Sequence, residues 1–139
     1  MEVRYKRFDR NLPGYLRAYP TDAGADLVAV EEITIQPGDT ARVPTNLAVA
    51  LPEGCYAVVS GRSGLNAQGI LTHVGTVDQG FRGQISVAMT NLSSQPFLIR
   101  RGDRVAQLVV LPFVAPSFIE VGELPPSPRA DRGWGSSGR

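Results

Sequence analysis

The sequence predicts an all-β fold of short strands joined by many turns, and three observations predict it. Of the 139 residues, 15 are Gly and 11 are Pro, and so many chain-breaking residues in a short chain argue against a helical bundle. Turn-forming residues recur about every 8–12 positions between short apolar or alternating runs, a spacing typical of a β-sandwich or barrel. Hydrophobic residues make up 42% of the chain, enough for one core, so we expect a single domain.

Individual strands are predicted from their apolar patterns. In chain order these runs are residues 2–8, 25–30, 33–35, 47–51, 55–60, 85–89 and 105–111. Residues 85–89 alternate between large apolar and small side chains, which is the period of two of a strand. Residues 105–111 are almost continuously apolar and predict a strand covered on both faces. The only predicted helix is a turn or two after Ser63.

The chain changes in character before its C-terminal tail. Residues 111–124 are apolar but contain Pro112 and Pro116, so they cannot form a central strand of their own sheet. We expect this apolar arm to pack on a neighbouring subunit. The predicted domain therefore spans residues 1–124 and is followed by a flexible tail over residues 125–139.

The tail is rich in Pro, Gly, Ser and Arg, and its one large apolar side chain is Trp134. Such a segment cannot fold alone. One interpretation is a frayed terminus. The other is a lid, because Gly and Ser free backbone N–H groups to wrap an anion, arginines supply charge and one aromatic ring can stack on a flat ligand.

The charge balance and the termini exclude several classes of protein. Lys and Arg number 14 and Asp and Glu 13, for a net charge of +1, which argues against a protein that neutralises the phosphates of duplex DNA. We therefore expect no nucleic-acid partner. Neither a signal peptide nor a membrane-length apolar run is evident, so we expect a cytoplasmic protein with no membrane partner. The single cysteine, Cys55, has apolar neighbours and is predicted to be a packed core thiol.

Three polar clusters interrupt the predicted strands. The segment Gly61-Arg62-Ser63-Gly64 combines a guanidinium, a hydroxyl and backbone that a ligand can approach closely, which suits phosphate oxygens. Residues 75–84 are predicted to form a hairpin, with Asp78 as a general base at the end of its first strand and Phe81 packing on a flat ligand. Gln107 lies in an apolar strand and needs hydrogen-bond partners. Taken singly, each cluster also fits an ordinary turn or a satisfied core amide.

Other routes to catalysis find little support in the sequence. There is one His, one Cys and no C-x-x-C or H-E-x-x-H pattern, so no metal cluster is predicted. A nucleophilic triad using His73 is conceivable, but nothing indicates its geometry. The only lysine is Lys6 and no Walker motif is present. Phosphate binding would therefore depend on arginine, hydroxyl and backbone N–H groups.

Five segments, in order, resemble the motifs of the trimeric dUTP pyrophosphatase (dUTPase) family. They are Asp22-Ala23-Gly24-Ala25-Asp26-Leu27, Arg62-Ser63-Gly64-Leu65, and residues 75–83, 102–108 and 129–138. The resemblance spans residues 18–138. It implies a distorted jelly-roll (β-clip) barrel that forms a homotrimer, with three sites between subunits and a flexible tail that closes them. It also implies hydrolysis of dUTP to dUMP and pyrophosphate with Mg²⁺.

The resemblance further implies a role for each matched residue. Asp78 would activate the water that attacks the α-phosphorus. Phosphates would be held by Arg62, Ser63, Gly64 and Gln107, and the uracil edge by the backbone around Gly75, Thr76, Val77 and Ser86. Phe81 would pack on the deoxyribose and exclude a 2′-hydroxyl. From the tail, Arg129 would reach the γ-phosphate, Trp134 would stack over uracil, and Gly135 and Ser136 would add backbone N–H groups. Mg²⁺ would bind mainly the triphosphate and water, with Asp26 at most in its outer shell.

The sequence departs from the family pattern at several positions, and two alternative functions remain open. Gly61, Phe81, Arg132 and Trp134 stand where the family usually has Pro, Tyr, Gly and Phe, and His73 is either a ligand contact or a structural residue. A dCTP deaminase, from a sister family on the same fold, would need a glutamate near the position of Ala88 as its general acid and base. A non-catalytic trimeric interaction module would be expected to lack Asp78 or the tail.

Overall fold

The computed structural model describes residues 1–134, and these form eleven short strands and one helical turn. The elements are β1 (Arg4–Lys6), β2 (Ala25–Val28), β3 (Ile33–Ile35), β4 (Thr40–Pro44), β5 (Ala48–Ala50), β6 (Cys55–Ser60), α1 (Ser63–Asn66), β7 (Ile70–Thr72), β8 (Gly75–Val77), β9 (Ser86–Asn91), β10 (Phe97–Ile99) and β11 (Arg104–Pro112). The predicted all-β class and the helical turn at Ser63 are both confirmed.

The strands pair into four antiparallel sheets. The largest has the order β2-β11-β6-β8, a second has the order β4-β9-β7, and two pairs are formed by β1 with β5 and by β3 with β10. The predicted closed barrel is not found, because within residues 1–134 the four sheets remain open. Most strands are only three to six residues long, and the turn after each one redirects the chain to another sheet.

The segment between β8 and β9 differs from its prediction. β8 pairs with β6, whereas β9 pairs with β4 and β7. The predicted hairpin is therefore wrong, because this segment connects two sheets instead of two paired strands. The predicted position of Asp78 at the end of the first strand agrees with the structure, since β8 ends at Val77 and Asp78 follows directly.

Apolar side chains from both large sheets form one core. Leu27, Val43, Val87 and Met89 are among its fully buried members. Cys55 is 3% exposed, which confirms its prediction as a core thiol. The strand predicted over residues 105–111 is β11, but it is covered only in its first half, because Val109 and Val110 are half-buried and Leu111 is exposed.

A buried amide fastens the N-terminal segment to this core. Asn46 is fully buried, and its Oδ1 accepts hydrogen bonds from the backbone N–H groups of Phe8 (3.0 Å) and Asp9 (2.7 Å). Its Nδ2 donates to the carbonyl oxygens of Asp9, Leu12 and Pro13 at 2.8–3.1 Å. Every polar atom of the side chain is used, as a buried amide requires.

The apolar arm begins later than the predicted residue 111, because Leu111 and Pro112 belong to β11 and pair with Tyr56 and Cys55 of β6. Its remaining residues, 113–124, have no strand or helix. Phe113 makes an edge-to-face contact with Tyr56, with the ring centroids 6.2 Å apart. The large side chains beyond it are open, with Val114 86% and Phe118 94% exposed. No helix within residues 1–134 is long and apolar enough to cross a membrane.

Candidate active site

Two separate concave regions contain the predicted site residues. The first, the Asp78 cleft, has a volume of about 260 Å³ and is lined by Arg42, Val59, Gly75, Thr76, Val77, Asp78, Phe81, Gln84, Ile85 and Ser86. The second, the Arg62 pocket, has a volume of about 380 Å³ and is lined by Ala18, Asp22, Asp26, Arg62, Ser63, Gly64, Leu65, Gln68, Arg104 and Gln107. No residue belongs to both.

The Asp78 cleft is built on the end of β8. Val77 is buried beside Ala57 of β6, so the next side chain, Asp78, emerges from the sheet edge and is exposed. A turn follows, closed by a 3.0 Å hydrogen bond from the N–H of Phe81 to the carbonyl oxygen of Asp78. The ring of Phe81 lies against Gly83, where an added Cβ would come within 2.6 Å of ring atom Cζ. Glycine is therefore needed at position 83 for this ring position.

The far wall of the Asp78 cleft is held by the turn after β4. Gln84 donates its Nε2 to the carbonyl oxygen of Thr45 (2.9 Å). The Thr45 hydroxyl donates to the carbonyl oxygen of Ile85 (2.8 Å), and the Ile85 N–H donates to Leu47 (2.9 Å). These bonds fix the backbone that leads to Ser86, which predicts a rigid wall facing Gly75.

The Arg62 pocket lies where β2, β11 and β6 meet α1. In the register of this sheet, Gln107 of β11 is opposite both Asp26 of β2 and Ser60 of β6. Gln107 is half-buried and donates its Nε2 to the carbonyl oxygen of Gly61 (3.1 Å), so the expected partner of this amide is present. Gly24 lies so close to the Gln107 amide that an added Cβ would overlap it.

Charged groups line the Arg62 pocket. Asp26 Oδ1 is 3.3 Å from Arg62 Nε, and Asp26 Oδ2 is 3.1 Å from Arg104 Nη1. Arg62 also donates its Nη1 to the carbonyl oxygen of Arg104 (3.1 Å). The first residues of α1, Ser63 and Gly64, add N–H groups that have no acceptor within the helix. Asp22 also lines the pocket, so two carboxylates and two guanidinium groups face the same concave region.

The two regions lie far apart in one chain. Val77 is paired with Ala57, which places Asp78 level with Tyr56, whereas Arg62 follows the other end of the same strand. Six residues of extended chain separate Tyr56 from Arg62, a distance of about 20 Å. A single chain therefore does not bring Asp78 together with the predicted phosphate-binding residues.

The predicted tail residues lie away from both regions. Arg129 is exposed and donates its Nε to the carbonyl oxygen of Arg132 (2.9 Å), and Trp134 is fully exposed. Neither lining includes a described residue beyond Gln107. The predicted contacts of Gly135 and Ser136 lie outside the described residues.

Three other residues bear on the expectations. His73 lines neither region, and its Nε2 shares a 2.7 Å hydrogen bond with the Thr90 hydroxyl. Sequence reasoning missed Arg42, which reaches the Asp78 cleft only because β4 pairs with β9. It also missed Arg104, although the motif over residues 102–108 contains it, because only pairing shows its contact with Asp26.

Together, the two regions define a protein of the nucleotide-handling class. The Asp78 cleft offers an aromatic ring and backbone polar groups to a flat ligand, and the Arg62 pocket offers guanidinium and N–H groups to phosphates. Comparison with known proteins makes this class specific. The dUTPase family model matches residues 10–138.

Curated relatives and solved structures agree. The chain is 49% identical to the deoxyuridine 5′-triphosphate nucleotidohydrolase of Leifsonia xyli, covering 93% of this chain and 86% of the relative. It is 45% identical to that of Thermobifida fusca, covering 99% and 79%. A mutant dUTPase of Staphylococcus bacteriophage 80alpha, solved with dUpNHpp, superposes with a TM-score of 0.92 at 25% identity over 99% of both chains. A dUTPase mutant from phage phi11 of S. aureus, reported with a structural Mg(II) ion, has the same fold (TM-score 0.82, 23% identity, 88% and 98% coverage).

The chain belongs to the dUTPase family. The predictions of this family, of an enzyme and of dUTP hydrolysis as its reaction are thereby confirmed. The two alternatives, a deaminase and a non-catalytic module, are set aside. Ala88, where a deaminase would need its glutamate, is an exposed strand residue beside Arg42.

Proposed function

We propose that dUTP is hydrolysed at a composite site, in which the Asp78 cleft of one subunit faces the Arg62 pocket of another within a homotrimer. The separation of about 20 Å along β6 carries this proposal. A general base must lie within about 3 Å of the proton it accepts, so Asp78 cannot act on a phosphate held by Arg62 of its own chain. A closed ring of three subunits brings each cleft to a neighbour's pocket.

In this site the Asp78 cleft supplies recognition and the base. Backbone groups of Gly75, Thr76, Val77 and Ser86 pair with the polar edge of uracil, and a mispaired buried group costs about 1–3 kcal/mol. Asp78 accepts a proton from water as its oxygen bonds to the α-phosphorus. The bond from this phosphorus to the oxygen that bridges to the β-phosphorus breaks, and pyrophosphate leaves with the electron pair. Phosphoryl transfer of this kind depends mainly on positioning and charge neutralisation.

The Arg62 pocket holds the triphosphate. Arg62, Ser63, Gly64 and Gln107 all line this pocket, and they bring a guanidinium, a hydroxyl, the N–H groups at the start of α1 and an amide. Charge-assisted bonds from arginine to phosphate are among the strongest that a protein can offer. Arg129 and Trp134 of the tail then close the site, with Arg129 at the γ-phosphate and Trp134 over uracil.

The donor set fits a Mg²⁺ ion carried by the substrate. No group of three or more His, Cys, Asp or Glu residues suited to a metal occurs within residues 1–134. Both oxygens of Asp26 are already paired with arginines, Oδ1 in an ion pair with Arg62 and Oδ2 with Arg104, so we expect this carboxylate to meet the ion only through water. Mg²⁺ commonly keeps several waters and binds substrate phosphates. When bound, it supplies positive charge to the developing pyrophosphate.

The apolar arm supports the trimer. Six large apolar side chains over residues 113–124 are exposed in the single chain, from Phe113 at 41% to Phe118 at 94%. Exposed apolar surface of this extent marks an interaction site, and we assign it to a neighbouring subunit. The single chain would then complete its jelly-roll architecture in the assembly. We expect this trimer to act on free dUTP in the cytoplasm, without nucleic-acid or membrane partners.

The composite site predicts that two inactive variants restore activity together. Asp78→Asn and Arg62→Gln chains, refolded as a 1:1 mixture, should regain about a quarter of the parent activity, because a quarter of the interfaces then join an intact cleft to an intact pocket. Pyrophosphate release from dUTP is the measurement, with light scattering to establish the trimer.

The matched control replaces the Arg62→Gln partner by a chain carrying both substitutions. This mixture has no interface with both halves intact and should remain inactive. Recovery no greater than the sum of the separate variants, or a monomer at micromolar concentration, would show that each site lies within one chain.

The ring of Phe81 is expected to read the sugar. It is 43% exposed in the Asp78 cleft and lies against Gly83, so it can cover the deoxyribose and leave no room for a 2′-hydroxyl. Phe81→Ala should reduce the preference for dUTP over UTP by roughly tenfold or more. The measurement is pyrophosphate release from dUTP, UTP, dCTP and dTTP side by side.

Discrimination against dCTP serves as the internal control for Phe81→Ala. It depends on backbone groups of the cleft, which the substitution leaves in place, and should persist. An unchanged preference for dUTP over UTP would mean that another group reads the sugar.

A further inference from the structure

A carboxylate links two arginines at the edge of the Arg62 pocket, one at the start of β11 and one in the turn between β6 and α1. Asp26 of β2 contacts Arg62 Nε through Oδ1 (3.3 Å) and Arg104 Nη1 through Oδ2 (3.1 Å). Arg62 Nη1 donates in turn to the backbone oxygen of Arg104 (3.1 Å). Because β2 and β11 are neighbours in one sheet and Arg62 lies in the turn after β6, this cluster forms a brace that joins the two strands to that turn.

We propose that Arg104 and Asp26 are positioning residues, which orient the guanidinium of Arg62 for the triphosphate. The inference rests on the phosphate-binding role proposed above for Arg62. A guanidinium carries five N–H donors. Arg62 Nη1 donates one hydrogen bond to the Arg104 carbonyl oxygen, and the ion pair with Asp26 restrains the Nε side. The donors on Nη2 remain for phosphate oxygens, and the two contacts together restrict the plane of the guanidinium.

The strand that carries Arg104, β11, is irregular directly after this residue. In a regular strand, residues 104 and 107 point to opposite faces, because side chains alternate. β11 shifts its register against β2 between Arg104 and Ala106, and such a bulge re-aims the side chain beside it. Arg104 and Gln107 therefore line the same pocket. This irregularity serves the pocket, since a regular strand would turn Arg104 away from Asp26.

Arg104 also limits how strongly Asp26 holds the guanidinium of Arg62. Paired with Asp26 alone, Arg62 would form a neutral couple, and the carboxylate would compete with phosphate for its donors. Arg104 takes Asp26 Oδ2, so the carboxylate is shared between the two arginines. Asp26 is 16% exposed, whereas the side chains of Arg62 and Arg104 are 31% and 44% exposed. The two guanidinium groups are thus more exposed than the carboxylate that pairs with both.

A double-mutant cycle on the intact trimer tests this assignment. The variants are Arg62→Gln, Arg104→Gln and the double variant, and the measurement is kcat/KM for dUTP with Mg²⁺. We expect a loss of roughly a hundredfold for Arg62→Gln and about tenfold for Arg104→Gln. The double variant should match Arg62→Gln within about twofold, because a residue that acts only through Arg62 has no effect once Arg62 is gone.

A second readout separates positioning from a general structural effect. The affinity for dUMP, which lacks the β- and γ-phosphates, should be unchanged in Arg104→Gln. The matched control is Arg101→Gln, since Arg101 is similarly exposed (47%) and pairs with Asp9 outside both regions. This control should keep its kcat/KM and show the same small change in melting temperature, because exposed ion pairs add little stability.

Three results would overturn the assignment. Losses that multiply in the double variant would mean that Arg104 contacts substrate itself. Full activity of Arg104→Gln beside a defective Arg62→Gln would refute the brace and leave the proposed function intact. Full activity of Arg62→Gln would remove both its phosphate role and the brace.

Discussion

Asp78→Asn is expected to lower kcat for dUTP by about 10²–10⁴-fold, because removal of a positioned general base typically costs this much. The amide has the size and shape of the carboxylate, and Asp78 is an exposed residue at the end of β8. The fold and the affinity for nucleotide should therefore survive. Pre-steady-state and steady-state pyrophosphate release, together with binding of dUpNHpp, measure both quantities.

Asp39→Asn provides the matched control for this prediction. Asp39 is also an exposed turn residue, directly after Gly38 with its φ of +83°, and it lines neither region. The same change of charge at this position should leave kcat unaltered. A kcat above about a tenth of the parent value in Asp78→Asn would assign the base to another group.

Deletion of residues 128–139 is expected to leave a folded trimer that binds the base but scarcely turns it over. The tail adds little to stability, because its described residues are exposed, so the melting temperature should hardly change. It does supply Arg129 and Trp134, whose contacts form only around bound nucleotide and contribute to positioning and water exclusion. The loss of kcat should approach that of Asp78→Asn.

Trp134 reports the closure directly, because it is the only tryptophan of the chain and is fully exposed. Its fluorescence should change when dUpNHpp binds with Mg²⁺ and hardly change with free pyrophosphate, which has no ring to stack on. Tight binding of the analogue without any change in emission would contradict the lid. Near-full activity of the truncated chain would contradict it equally, and the tail would then be a frayed terminus.

Much of the fold follows from short-range patterns in the sequence. The apolar run over residues 55–60 coincides with β6, and the turn residues at positions 37–39 and 52–54 stand where Gly38 and Gly54 adopt positive φ. β4 escaped prediction because it contains Thr, Arg and Pro, and its place depends on pairing with β9. Strand pairing over long distances is not a property of any local window of residues.

The candidate site shows the same contrast between what local sequence patterns predict and what long-range strand pairing determines. Asp78, Arg62 and Gln107 could be selected locally, because each is a polar residue beside or within an apolar strand. Their separation could not, since it follows from the antiparallel register of β6 and β8. The contact of Asp26 with Arg104, 78 positions apart, also depends on a register shift in β11. The predicted hairpin was wrong for this reason, because local turn signals cannot say which sheet the next strand joins.

The hydrogen bonds of Asn46 and its neighbour Thr45 have a consequence for local unfolding of this protein. The N–H groups of Phe8 and Asp9 bond to its side chain, and the adjacent Thr45 bonds to Ile85 in the wall of the Asp78 cleft. The N-terminal segment and the cleft wall, which are distant in sequence, are thus both held by hydrogen bonds to two consecutive residues. If the backbone at these two residues moves, both segments lose their hydrogen bonds together, as one cooperative unit of local unfolding. Backbone amides at the N-terminus and beside the cleft should therefore exchange with deuterium at a common rate, although some 75 residues of chain lie between them.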